Sequence, residues 1–453
     1  VQSLVAEAFR ATCRPAPATI LHLLILGHLL HHCACYHWHH HIYEEGEAED
    51  ACTSADFDSS YWTAPGGRGS QLLGTQHAQR VIWDHQHPAS CAGARFLVYH
   101  PCNHGIGSTW HVLGQALAHA IAMDRVLVLA ADGAHAFYDA AWCGADATYH
   151  DCYFLPVSSC TLADAEAAAG GAAAMAQTPH VLKPSADVAG ARVVRMACGP
   201  EDPHALPAAL TDFPEAAAIS ADKLYYWWRA QSAAYLFRPN ERTLAELRAL
   251  KLEVYPQGQV PRGCISVHIR RGDKWTEVGD ESDAKFVSTA EALFAAGGQT
   301  FGLTRHIFLS TEDPAAVEYF QRLPDWNVSY THVARKPDKH KSTMEYAREI
   351  GPAREMLNSL VRVGCLAAPC CWAVPSWGFR ACMQHCWQAV TLALMRPLQV
   401  NLDLALGCDG WVGTATSNWV RLIDELRSTV RCKAHKLYRD AQQGDPPTNL
   451  EWR

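Results

Sequence analysis

Apolar and polar positions along the chain fall into two sets of alternating strand-like and helix-like segments. Arg95-Phe96-Leu97-Val98-Tyr99 is a short β-rich run, and Arg125 to Leu129 (RVLVL) is a second. Between them Val112, Leu113, Leu117, Ala120 and Ile121 recur at helical spacing over Trp110 to Met123. This is the pattern of a βαβ unit. Its first loop, Cys102-Asn103-His104-Gly105-Ile106-Gly107-Ser108, is glycine-rich. Leu224 to Leu250 reads as helical, with Pro239 stopping one helix and Asn240 placed to cap the next. A second set of elements follows. Strands are predicted at Cys264 to Ile269, His306 to Leu309, Trp326 to Tyr330 and Trp411 to Gly413. Helices are predicted near Pro314 to Arg322, Ser342 to Val361 and Asn418 to Arg427. The expected fold class is α/β, with two Rossmann-like domains facing a cleft. The boundaries that follow are a leader and linker over 1–90, an N-terminal α/β domain over 91–222, a helical link over 223–261, a second Rossmann-like domain over 262–430 and a tail over 431–453.

Three stretches do not join this pattern. From Glu44 to about Ser90 the text is polar, has no sustained period, and reads as linker and early loop. Ala163 to Ala176 reads as a weak helix or a surface insertion. Arg362 to Val400 is the odd one. Between Val361 and Val400 there is no Asp, Glu or Lys, yet the span holds Cys365, Cys370, Cys371, Cys382, Cys386, Trp372, Trp377 and Trp387. No period persists through it. A membrane-dipping hairpin is one reading, and a retained intron translated in frame is the preferred one. Removing it joins Met356 to Val361 directly to Asn401 to Leu406 and restores apolar helical spacing.

Composition changes the picture in a few respects. The chain has 453 residues and a formal net charge of −8, which argues against a nucleic-acid binder because no broad cationic surface is on hand to neutralise phosphates. It holds 18 cysteines, without the CxxC…CxxC spacing of a structural zinc site. Cys91, Cys102, Cys143, Cys152 and Cys160 read instead as disulfide partners of a secretory compartment. A first residue of Val reads as a fragment or an incomplete gene model, and Ala18 to Leu30 as either the remnant of a signal anchor or a disordered leader. The His-rich tract from His31 to His41 is read as a compositional accident rather than a metal site.

The candidate chemistry sits at strand ends. His268-Ile269-Arg270-Arg271-Gly272-Asp273-Lys274 closes a predicted strand, where α/β folds place ligands. A guanidinium can hold two phosphate oxygens at once, which suits a diphosphate leaving group whose charge grows in the transition state. One of Arg270 and Arg271 faces that group in this reading and the other braces the loop. Asp273 orients an arginine, Lys274 adds a point charge, and Glu277 is within sequence reach as a general base. The rival reading is a surface salt-bridge cluster. Gly105 and Gly107 open a helix, as either a phosphate-approaching loop or a plain tight turn. Ser310-Thr311-Glu312-Asp313 and Thr414-Ala415-Thr416-Ser417-Asn418 each precede a helix, where ligand contact and simple capping explain the residues equally well. Arg335 to Lys341 is a basic loop that reads as solvated, and Asn327-Val328-Ser329 is a sequon inside a predicted strand.

Joined together, these motifs resemble the α1,6-fucosyltransferase family (glycosyltransferase family 23) and, more distantly, nodulation and protein O-fucosyltransferases. The resemblance runs from about Arg95 to Arg427, without the odd insert. It rests on Trp227-Trp228 through Phe237-Arg238-Pro239, on His268 to Lys274 with Thr276-Glu277, on Phe308 to Pro314, and on Cys408 to Asn418. It implies a GT-B-type, inverting, metal-independent transfer of fucose from GDP-fucose to a glycan or glycoprotein acceptor in the Golgi or secretory pathway, with no cofactor beyond the donor. Position by position it implies Arg270 on the β-phosphate and His268 beside guanine through its backbone. Lys274 and Glu277 flank the acceptor hydroxyl, Glu312 and Asp313 match two adjacent acids, and Ser417 matches a nucleotide-contacting Ser. Arg271, Asp273, Gly105 and Gly107 join the donor set. Two departures stand out. The loop between Lys274 and Glu277 is one residue shorter than in the animal enzymes. The acid expected to read guanine falls at Asn401, with Asp403 two residues later. The animal family's coiled-coil stem and SH3-like domain are not evident either. A protein O-fucosyltransferase-like activity and a catalytically inactive glycan- or nucleotide-binding protein are the alternative readings.

Overall fold

The apolar runs at 96–99 and 126–129 become neighbouring parallel strands in the computed structural model of the chain, which describes residues 71–130, 135–144, 147–201, 206–213, 216–271, 281–332, 335 and 399–442. Strand β1 (Phe96–Tyr99) leads into helix α2 (Ile106–Ala122) and back to β2 (Val126–Leu129), so the expected βαβ unit is present. Every residue of β1 and β2 is buried, as parallel strands covered on both faces require. Helix α3 (Leu162–Ala169) and strands β3 (His180–Val181) and β4 (Val193–Met196) complete a sheet of order β2-β1-β4-β3, parallel throughout.

The helical link forms as two helices, α4 (Ala221–Leu236) and α5 (Glu241–Val254). Asn240 caps the second, its side chain accepting from the Thr243 N–H at 2.9 Å. Tyr226, Trp227, Trp228 and Tyr235 are all fully buried. The two indoles are tied by hydrogen bonds, Trp227 Nε1 to Leu73 O at 2.6 Å and Trp228 Nε1 to Gly114 O at 3.1 Å. A buried indole needs such a partner for its N–H.

The second sheet contains β5 (Ile265–Ile269), helix α6 (Asp283–Gly297), β6 (His306–Thr311), helix α7 (Pro314–Gln321), β7 (Asn327–Tyr330), helix α8 (Gln399–Gly407), β8 (Gly410–Gly413), helix α9 (Asn418–Thr429) and β9 (Tyr438–Asp440). Its order is β7-β6-β5-β8-β9, again parallel. Side chains alternate across the sheet. Ile265, Val267, Ile269, Ile307, Leu309 and Val412 pack with Phe286 and Leu293 of α6 and Val317 and Phe320 of α7. Phe308 and Trp411 belong instead to a core shared with α2, α4, α8 and α9. Ser266, His268 and Ser310 have the parity of Phe308, so these three polar positions lie on that second face, whereas Thr311 has the parity of Leu309.

Several expectations are corrected. Thr75–Gln86 is a helix, α1, inside the stretch read as linker. Its buried face carries Thr75, Ala78, Gln79, Ile82 and Gln86, so polar residues occupy the core side and no apolar period is visible. The Gln79 amide donates to Gln231 O at 2.9 Å and Gln86 accepts from the Leu127 N–H at 2.9 Å, which is how those positions are tolerated. Helix α2 starts at Ile106 rather than Trp110, which puts Gly107 in its first turn. Strand β9 lies in the stretch read as a tail, and pairs with β8 through Trp411 and Tyr438. Disulfides Cys91–Cys160, Cys102–Cys198, Cys143–Cys152 and Cys264–Cys408 bear out the reading of the cysteines as bridge partners. Residues 362–398 of the insert, the predicted helix at Ser342 to Val361, the leader and its His-rich tract, and Asp273, Lys274 and Glu277 lie outside the described residues, while the insert's last two residues, Gln399 and Val400, open α8. Among the described residues no helix is long and apolar enough to cross a membrane.

Candidate active site

Parallel pairing of β5 with β6 sets His268 beside Ser310 and Ile269 beside Thr311, so Arg270 and Glu312 both emerge at the carboxyl edge of the second sheet. That edge is where parallel α/β sheets present ligand-binding residues. Arg270 and Glu312 form an ion pair, with side chains 16% and 19% exposed, partly shielded yet reachable. The same Glu312 oxygen accepts the Arg271 backbone N–H at 2.8 Å. Arg270 Nη1 also donates to the Arg271 carbonyl at 2.7 Å.

Arg271 takes the other direction. Its guanidinium donates to Asp283 Oδ1 at 2.7 Å and to the Glu281 carbonyl, stacks 5.8 Å over the Phe286 ring, and sits 3.8 Å from Asp313 Oδ2. Of the two arginines, Arg271 is therefore the brace, tying the end of β5 to the start of α6. Asp313 is the N-cap of α7 and accepts the Ala315 N–H at 2.9 Å. The bracing carboxylates are thus Glu312, Asp313 and Asp283. Asp283 is not singled out in the sequence, where helix α6 is not predicted; it lies in the first turn of that helix.

Beneath this edge His268 is buried, with Nδ1 3.2 Å from Ser310 Oγ and Nε2 without a hydrogen-bond partner among the described residues. Burial outweighs the Glu312 carboxylate and pushes the imidazole pKa down to about 4. It is a neutral ring near pH 7. Ser266, His268, Trp411, Asp424, Arg427 and Tyr438 surround a small cavity between the sheet and α9.

Arg335, read as part of a solvated loop, is partly buried at the same edge. It donates to the Thr311 carbonyl at 3.2 Å and to the Thr331 carbonyl at 2.8 Å, and burial lowers its pKa to about 10. The charged run that follows it, Lys336 to Lys341, made the whole stretch read as a solvated loop.

The loop after β8 is pinned from three sides. Ala415 N–H donates to Asp440 Oδ2 at 2.7 Å, Arg421 Nε donates to the Ala415 carbonyl at 2.6 Å, and Thr416 donates to Gln442 at 3.1 Å. Ser417 is the N-cap of α9, but its side chain makes no capping hydrogen bond. Asp313 and Asn240 do cap, so capping does not account for Ser417. Gly105 is the N-cap of α2, and Gly107 lies against the start of α9: a Cβ at Gly107 would fall 2.7 Å from the Asn418 carbonyl carbon. The glycine loop and the serine loop therefore meet. The close approach gives Gly107 a packing reason.

Asp403 is placed elsewhere. Its carboxylate pairs with Arg431 and lies 3.6 Å from Lys251, as a link between α8, α5 and the chain after α9. Asn401 is buried and accepts from Thr331 Oγ1 at 3.0 Å, just past the end of β7. Among the described residues Cys102, His104 and Cys198 are close enough to suggest a metal site. Both sulfurs are joined in one disulfide, so neither is a thiolate ligand.

The family model for alpha-(1,6)-fucosyltransferase N- and catalytic domains matches residues 69–341, more than half of the 453-residue chain. The chain belongs to this family. The match includes the β1-α2 loop, the Trp-rich helix α4 and the whole edge from His268 to Asp313. Among solved structures the chain is similar to NodZ alpha-1,6-fucosyltransferase soaked with GDP-fucose, at 14% identity over 74% of this chain and 92% of that one, with a TM-score of 0.38. It is similar to POFUT1 in complex with GDP-fucose at 10% identity, over 76% and 97% of the two chains, with a TM-score of 0.38. It is also similar to a mutant of Arabidopsis thaliana FUT1 in complex with GDP at 11% identity, over 89% and 86%, with a TM-score of 0.41. No curated protein sequence matches the chain.

Proposed function

We propose that this fucosyltransferase-family chain moves fucose from GDP-fucose to a glycan acceptor, in an inverting and metal-independent reaction of the α1,6 type. The observation that carries the reading is Arg270, held by Glu312 at the carboxyl edge of the second sheet inside the family-matched segment. In this reading the Arg270 guanidinium takes the β-phosphate of the donor. As the glycosidic bond breaks, charge accumulates on that phosphate, and a fixed guanidinium favours the charged transition state over the ground state. Glu312 holds the group in place beforehand, so little reorganisation remains for the reaction step. Ser417, whose hydroxyl is not spent on capping, supports a second contact to the nucleotide.

Lys274 and Glu277 flank the acceptor hydroxyl by family position, with Glu277 as the base that accepts its proton. His268 lines the base side of the donor through its backbone. Asn401 stands by family position where guanine is read, while Asp403 is engaged with Arg431 and Lys251. The bridges among the described residues favour an oxidising, secretory setting such as the Golgi lumen.

The test is donor turnover with GDP-fucose, GDP-mannose and UDP-sugars, followed by acceptor assays with free glycans and with folded protein domains. Release of GDP from GDP-fucose, dependent on a glycan, is the expected result. Transfer to folded protein domains alone would move the chain to the protein O-fucosyltransferase type. GDP binding with no turnover on any donor would make it an inactive binding protein.

A further inference from the structure

A buried charged cluster lies away from the strand edge, where α2, α4 and α9 cross. His111 on α2, Arg229 on α4 and Glu425 on α9 have side chains 8%, 5% and 0% exposed. Glu425 Oε2 is 2.9 Å from His111 Nε2, and Glu425 Oε1 is 2.8 Å from Arg229 Nη2. Arg229 Nη2 also lies 3.0 Å and 2.9 Å from the two ring nitrogens of His111. Burial pushes the Glu425 carboxyl up, but Arg229 and His111 outweigh it and hold the group below its usual range. The carboxylate is charged inside the protein.

Three helices can be packed by apolar side chains at least as firmly as by a buried ion cluster, because desolvating the charges costs so much. What the ions add is direction. From Glu425 the chain of contacts runs back to the first turn of its own helix. His111 Nδ1 is 3.2 Å from Asn418 Oδ1, and Asn418 Nδ2 donates to Ser108 Oγ at 2.7 Å. Ser108 and His111 are three apart on one face of α2, so both address Asn418 together. Gly107 lets the two backbones close to a distance that a Cβ would forbid. Arg421 adds a bond to the Ala415 carbonyl from the next turn. Everything converges on 415–418, the loop that carries Ser417.

We infer that His111, Arg229 and Glu425 are positioning residues for the donor: they set the depth and angle of the first turn of α9, and thereby place Ser417 for the nucleotide diphosphate. This rests on the reading of the strand edge as a GDP-sugar site. None of the three touches the donor, and each acts through Asn418 and its loop. The cluster also ties the second sheet's serine loop to helices of the first α/β half, so both halves set the geometry at Ser417.

The test replaces the ions by apolar groups in the full chain, as the triple variant His111→Leu, Arg229→Met, Glu425→Leu. Thermal melting reports whether it folds, and calorimetry with GDP reports the site. The expected result is a folded protein whose Kd for GDP rises at least about tenfold, since small misplacement of a positioned group is costly. Hydrogen exchange over 413–419 is expected to quicken without any ligand. Adding Ser417→Ala to the triple variant is expected to cost nothing further, although it weakens GDP binding in the wild-type background. A folded triple variant with wild-type Kd and unchanged exchange overturns the inference and leaves the donor reading standing. So does a Ser417→Ala penalty of equal size in both backgrounds. Should the triple variant fail to fold, His111→Gln is read by the same two measurements and the same criteria. A wild-type chain that binds no GDP removes the donor reading and the inference together.

Discussion

Glu312 accepts the Arg271 backbone N–H at 2.8 Å on the same oxygen that pairs with the Arg270 guanidinium. One carboxylate thus holds the strand end and aims the side chain that follows it. Loss of that carboxylate is expected to be felt in both places. Glu312→Gln should lower stability by about 1–3 kcal/mol, because a partly buried charged bond and an amide partner are weakened together. Urea unfolding measures the first effect and a GDP titration the second. Unchanged GDP affinity in a folded Glu312→Gln protein would detach Glu312 from the site.

Arg270→Ala is expected to reduce kcat/KM for the donor at least about 100-fold, as removal of one preorganised charge-stabilising group commonly does. Arg270→Lys should recover only part of this, since an ammonium lacks the forked geometry of a guanidinium. Steady-state kinetics with GDP-fucose give both values. An alanine variant with unchanged kcat/KM would remove the central claim.

Ser417 and Asp313 begin helices α9 and α7, but only Asp313 caps with its side chain. Asp313→Ala should therefore cost about 1 kcal/mol of stability, and Ser417→Ala much less. The ranking should invert for GDP affinity, where Ser417→Ala is the more harmful. Melting temperatures and calorimetry on the same two proteins check the pair of orders.

Gly107→Ala is expected to destabilise the protein by about 1–3 kcal/mol, because its Cβ would press on the Asn418 backbone, which cannot yield as a flexible side chain does. Gly105→Ala should be milder, as a Cβ there meets nothing within 4 Å. Chemical denaturation of the two variants separates a packing role from a general need for glycine.

His268 makes stability fall with acid. Its folded pKa is lowered from 6.5 to about 4, so below 6.5 the unfolded chain takes up a proton that the folded chain refuses. The contribution is intact above pH 6.5, is lost progressively as pH falls toward 4, and amounts to up to roughly 3 kcal/mol. Replacing the ring by a neutral amide in His268→Asn should flatten that part of the profile. Unfolding free energies at pH 7 and pH 5 for the two proteins test it. An equal drop in both would show that other buried histidines carry the acid limb.

Much of the architecture was legible from the chain alone. Strands with apolar faces on both sides, a helix with apolar spacing between two of them, and a proline followed by a capping asparagine are local signals, and β1, β2, α4, α5, β5 and β6 followed them. The edge at Arg270 was legible too, because a charged run directly after a buried strand has only one place to go. What failed locally was α1, whose core side carries Thr75, Gln79 and Gln86 in place of an apolar stripe. Their hydrogen-bond partners lie far along the chain, at Gln231 and Leu127, and no window of neighbouring residues contains them. Strand β9 escaped for a similar reason: three residues gain strand character only by pairing with β8. The division of labour between Arg270 and Arg271, the capture of Asp403 by Arg431 and Lys251, and the meeting of Gly107 with Asn418 were likewise decided in three dimensions. Residue type sets what a guanidinium or a carboxylate can bind. Only the fold, by bringing together partners up to several hundred residues apart, sets which of them it does bind.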